Sequence, residues 1–108
     1  MTTTKAPTIT LVGKSGKKYV YVVYDIGTTF VAKPGNYVFL AVSTHSTRVL
    51  YVGETSDLSE RFGSHHALPC VQRNGGNKIA VHINEGGLSA RRAEEADLIA
   101  NYSPTCNG

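Results

Sequence analysis

Apolar residues along this chain come in short, β-branched and aromatic runs cut apart by glycine, proline and polar clusters. Residues 8–12 and 18–24 are two such runs, and Gly13-Lys14-Ser15-Gly16-Lys17 between them has turn chemistry, so the pair predicts a β-hairpin. Asp25-Ile26-Gly27-Thr28-Thr29 breaks the pattern, and Lys33-Pro34-Gly35 punctuates it again. Residues 37–42 and 49–52 then predict two antiparallel strands joined by the polar turn 43–47, which places Tyr37 and Tyr51 in one sheet.

Beyond these strands the period changes. Ser56 or Asp57 can accept from the free amides of a first helical turn, and Glu60 stands three residues after Asp57 as in a capping box. Leu58, Arg61, Phe62 and His65 follow at helical spacing, so one face carries an arginine and a histidine among apolar residues, with Pro69 as the stop. Asn74-Gly75-Gly76 marks a loop, residues 78–84 a further strand, and Gly86-Gly87 the approach to a last helix capped by Ser89. The order hairpin, strand, strand, helix, strand, helix predicts an α+β fold and argues against a doubly wound parallel one.

At 108 residues the chain predicts a single domain with an adequate core. Its apolar runs reach about eight residues, far short of the roughly 20 that span a bilayer, and Met1 to Lys5 lead into no apolar signal core. A cytoplasmic protein with no membrane partner is the expectation. A net charge of +3 suits a polyanionic partner only if the charges share a face. Lys14, Lys17 and Lys18 form one basic group, and Arg91 and Arg92 another. Cys70 and Cys106 fit no zinc-ribbon or redox spacing and read as buried or idle thiols. His65 and His66, if helical, project roughly 100° apart and do not share an ion. His45 and His82 read as surface or sheet residues.

Arg61 at a core edge needs an anion, an acid or solvent for its head group. Glu95 has Leu98 and Ile99 three and four residues on, with Leu88 and Tyr102 seven residues to either side. A carboxylate on such a face sits at the rim or is bound to a cation, since burying it unpaired is costly. The alternative is a solvated member of the run Glu94, Glu95, Asp97.

Taken together, Gly35-Asn36-Tyr37, Tyr51-Val52-Gly53, Arg61, Glu95 and the ending Pro104-Thr105-Cys106-Asn107 resemble the GIY-YIG nuclease superfamily, over residues 35–107. The resemblance implies a central three-stranded antiparallel sheet flanked by helices, with residues 1–34 as an N-terminal hairpin extension of the motif-bearing core 35–108. It also implies a divalent-metal-dependent endonuclease that hydrolyses phosphodiester bonds, of DNA ahead of RNA. Tyr37, Tyr51, Arg61, His65 and Glu95 are its expected catalytic residues, and Gly53, Asn107, Arg91 and Arg92 its expected substrate contacts. Glu95 would hold Mg²⁺ or Mn²⁺, which neutralises phosphate charge. Arg61 would stabilise the added equatorial charge with its fork of donors. One tyrosine would hold or deprotonate the attacking water; Tyr37 is the first candidate for base and Tyr51 for orienting partner, with the reverse open. Asn36 and Val52 replace isoleucines of the two signatures, at positions that point away from the tyrosines. Glu54 stands where several relatives have a lysine, which leaves a non-catalytic nucleic-acid-binding module as the alternative. A homodimer or a protein partner stays open.

Overall fold

A computed structural model describes residues 6–60 and 62–107. Strands β1 (Thr8–Val12), β2 (Lys18–Asp25), β3 (Gly35–Val42), β4 (Thr47–Thr55) and β5 (Lys78–Ile83) form one antiparallel sheet in the order β1-β2-β5-β3-β4. The fold is α+β, but the sheet is five-stranded and continuous instead of three-stranded with an appended hairpin. β2 pairs directly with β5, placing Val22 opposite Val81 and Tyr24 opposite Ile79. β3 is flanked by β5 and β4, so Tyr37 lies in the interior of the sheet.

Strand alternation sends β3 side chains to two cores. Tyr37, Phe39 and Ala41 pack with Leu58, Leu68, Val71 and Ile79 on one face. Val38 and Leu40 pack with Tyr21, Val52, Ala80 and Leu98 on the other. The second face is covered by a helix, α2 (Leu88–Tyr102), whose buried residues are Arg91, Glu94 and Leu98. This stripe is not the one centred on Glu95: Leu88 is exposed, and Glu95 sits on its flank. Gly87, with φ 98°, occupies the N-cap position in place of Ser89, which lies inside the helix.

The helix expected from residue 57 does not form. Asp57 Oδ1 accepts from the Ser59 amide at 2.9 Å as a cap would, but the Leu58 amide donates to the Lys33 carbonyl and turns the buried Leu58 side chain into the core. Only a 3₁₀ turn over Phe62–Ser64 follows, in a segment carrying Gly63. Helix α1 begins at Leu68 and runs to Arg73. Pro69 therefore opens a helix, where its missing amide costs nothing, instead of closing one.

Cys70 and Cys106 are not idle thiols: they form a disulfide, with Cα atoms 5.8 Å apart, that ties α1 to the chain's C-terminal segment. Closing a loop of 36 residues stabilises by about 4 kcal/mol in the chain-entropy account. Reduction is expected to lower the unfolding free energy by about 3–4 kcal/mol in urea titrations with and without reductant; coincident curves would contradict this. Oxidising surroundings close such a pair and a reducing cytoplasm opens it. Among the described residues, no helix is long and apolar enough to cross a membrane.

Four phenols are held above their ordinary range, chiefly by burial. Tyr19 is pushed up to about 12 by burial and then by its bond to Asp97. Tyr21 is raised by burial and then by Glu94, Tyr37 by burial and then by Tyr51, and Tyr51 by burial. Each folded value exceeds the phenol's ~10 in the unfolded chain. Their contribution is thus complete below pH ~10 and is lost as pH rises through the folded values. Urea midpoints should fall steeply above pH ~10, and a flat profile to pH ~11.5 would count against these environments.

Candidate active site

Tyr37 on β3 and Tyr51 on β4 share a sheet face because the register sets Tyr37 opposite Gly53 and Phe39 opposite Tyr51. Their rings stack with centroids 6.1 Å apart. Both signature glycines are steric necessities here. A Cβ on Gly53 would lie 2.5 Å from Cζ and 2.6 Å from Oη of Tyr37, and one on Gly35 would lie 2.6 Å from the His82 carbonyl oxygen. Gly53, expected as a substrate contact, makes the space in which the Tyr37 phenol lies.

The turn that replaces the expected helix brings His65 to this pair. Its Nε2 is 2.6 Å from Tyr37 Oη, and its ring meets Tyr51 edge-on at 4.9 Å. The Ala67 amide donates to His65 Nδ1 at 3.0 Å. Nδ1 is therefore an acceptor, and the neutral ring carries its proton on Nε2. Burial first, and then the neighbouring His66, hold the imidazole below its usual value, which keeps it neutral at pH 7. His65 thus donates to Tyr37, beside which the Tyr51 ring is stacked. The relay runs Ala67 amide, His65, Tyr37.

A cleft of about 590 Å³ opens beside these groups, lined by Tyr37, Glu54, Thr55, Glu60, His65 and His66 among others. Glu60 accepts from Thr55 Oγ1 at 2.5 Å. Glu95 lies close enough for its charge to raise both phenols. Its own carboxyl is held above the usual range by burial first, then by Glu54, against a lowering influence from Arg92. Arg92 is exposed and free to meet a ligand. Arg91, expected with it among the substrate contacts, is instead buried, its Nε 2.9 Å from Glu54 Oε1. That ion pair explains how a carboxylate is accommodated at position 54. Asn107 is likewise committed to structure: its amide group bonds both the amide and the carbonyl of Val52, at 2.8 and 2.9 Å, closing the edge of β4. Arg61 falls outside the described residues.

His65 and His66 are not helical, so the argument from helical projection does not apply to them. Their rings stack at 4.5 Å and 24°. Among the described residues no three His, Cys, Asp or Glu side chains converge as a ready metal cage. Mg²⁺ needs less, since it keeps several of its waters and is held by one or two carboxylates. Glu95, whose charged form is disfavoured by burial and by a second carboxylate, is a group that a bound cation would relieve.

The buried acid of α2 was missed in the sequence. Glu94 is 4% exposed and accepts from Tyr21 Oη at 2.5 Å, from His82 Nδ1 at 2.9 Å and from Asn84 Nδ2 at 3.2 Å. Asn84 also donates to Asn36 Oδ1, and Asn36 Nδ2 donates to the Arg91 carbonyl at 2.8 Å. Asn36, the departure from the first signature, is thus fully buried and ties β3 to α2. The available signal was the spacing of Arg91, Glu94 and Leu98, one stripe of the helix. His82, read as an ordinary sheet residue, belongs to this network.

Compared with protein-family models, curated proteins and solved structures, the chain matches none.

Proposed function

We propose that this protein is a divalent-metal-dependent endonuclease hydrolysing nucleic-acid phosphodiesters, with DNA ahead of RNA as substrate. The observation that carries the reading is the relay Ala67–His65–Tyr37, with Tyr51 stacked on Tyr37 and Glu95 near both phenols. A scaffold has no use for a neutral histidine bonded to one of two stacked phenols at a carboxylate-lined cleft. Of the two orders left open we favour Tyr51 as the water-activating group and Tyr37 as its support, because Tyr37 is buried and its hydroxyl is engaged by His65 while Tyr51 is only half-buried.

Glu95 would hold the metal, with Mg²⁺ or Mn²⁺ supplying charge neutralisation at the phosphate and the departing oxygen. With Glu95 engaged in this way, its upward pull on Tyr51 is relieved, so metal binding and activation of the phenol are coupled. Tyr51 orients and deprotonates the attacking water. Arg61, carried over from the resemblance, supplies donors to the phosphate, with Arg92 at the rim. Glu54 is paired with Arg91, which removes the chief argument for a non-catalytic module, although its charge still acts on Glu95.

Labelled single-stranded, duplex, nicked and branched DNA, with matching RNA, should be cut in Mg²⁺ or Mn²⁺ and left intact in EDTA. Arg61→Ala should abolish the cutting. Cleavage that survives Arg61→Ala would identify a contaminant, and binding without cleavage would favour the non-catalytic module.

A further inference from the structure

Resting on the nuclease reading, we propose that the outward face of His66 is a stacking platform for an unpaired nucleobase at the mouth of the cleft. The preferred substrate is then a single-stranded or extruded nucleotide. His66 is exposed on the turn between the 3₁₀ turn and α1, and it lines the same cleft as Tyr37 and His65. One face of its ring stacks on His65 with centroids 4.5 Å apart, and Tyr51 meets it edge-on at 5.7 Å and 82°. His65 is in turn locked by Ala67 and Tyr37. The exposed imidazole is therefore the outer member of a rigid aromatic stack, and its second face looks to solvent.

The charge of the cleft favours such a contact. Glu54 and Glu60 line it and Glu95 lies near, while Arg91, the one buried cation of α2, is paired with Glu54. Among the described residues the lining carries no lysine or arginine. A contact that is indifferent to charge would supplement those that Arg61, Arg92 and the metal make with phosphate in the proposed function. Base stacking on an aromatic ring contributes about 1–3 kcal/mol and tolerates any sequence, since every base has a π face. Within a duplex those faces are already covered, so only an unpaired or flipped base reaches the platform.

Fluorescence titration of a short single strand carrying 2-aminopurine, against parent, His66→Ala and His66→Trp, tests the platform without needing cleavage. Titrations in EDTA and in Mg²⁺ should both show quenching with the parent. His66→Ala should weaken single-strand binding by about fivefold or more, His66→Trp should keep or tighten it, and a matching duplex should bind more weakly than the single strand. Unchanged affinity in His66→Ala, or a duplex bound as tightly as the single strand, would overturn the platform even if the protein cleaves DNA. Quenching lost in His66→Ala from a protein that never cleaves would leave the platform standing and remove the nuclease. No binding of any oligonucleotide would remove both.

Discussion

Tyr51→Phe is expected to slow cleavage by about 10²–10⁴-fold, the range for loss of a positioned proton acceptor, with substrate binding little changed. Tyr37→Phe should cost less. It leaves His65 Nε2–H without its acceptor, a loss of about 1–3 kcal/mol, or roughly 5–150-fold when carried wholly into the barrier. The two variants should also differ in pH profile. Where Tyr51 titrates as the base, Tyr51→Phe removes the rise in rate with pH whereas Tyr37→Phe keeps it. Single-turnover rates across pH for both variants decide the matter. A larger loss for Tyr37→Phe, or a rise with pH that survives Tyr51→Phe, would restore Tyr37 as the base.

The second large effect is on stability. Glu94→Ala should destabilise the fold by about 3–5 kcal/mol, the usual cost of breaking a buried charged network. It leaves Tyr21 Oη, His82 Nδ1 and one Asn84 donor without their acceptor between α2 and the sheet. Against a typical total of roughly 5–15 kcal/mol, that is a large share. Glu95→Ala, on the flank of the helix, should change stability by well under 1 kcal/mol. Urea unfolding of both variants measures the contrast. Equal effects would mean that the buried and flanking carboxylates have been exchanged.

These two neighbours mark where the sequence stops being legible. The strands could be read because alternation and turn residues are local signals, and the final helix because Gly86-Gly87 and its apolar spacing bound it. Whether Glu94 or Glu95 faces the sheet depends on Tyr21 and His82, which reach the helix from distant strands. An Asx turn at Asp57 and a helix cap share the same first hydrogen bond, and the outcome turned on Leu58 bonding Lys33, a contact made from before β3. The disulfide joins residues 36 apart and leaves no mark in spacing. In the site, the tyrosine pair was legible from the two signatures. The relay through His65 was not, because it depends on a backbone amide two residues further along.

Substituting Glu95 by glutamine tests the central claim most directly, since it keeps size and shape while removing the charge that would hold the metal. With folding verified by circular dichroism, parent and Glu95→Gln would be compared in cleavage of a labelled oligonucleotide across a Mg²⁺ titration. The account predicts saturable, Mg²⁺-dependent cutting by the parent and a loss of at least about 10²-fold in the variant. Equal cutting by both proteins, or cutting by the parent that ignores Mg²⁺, would contradict it.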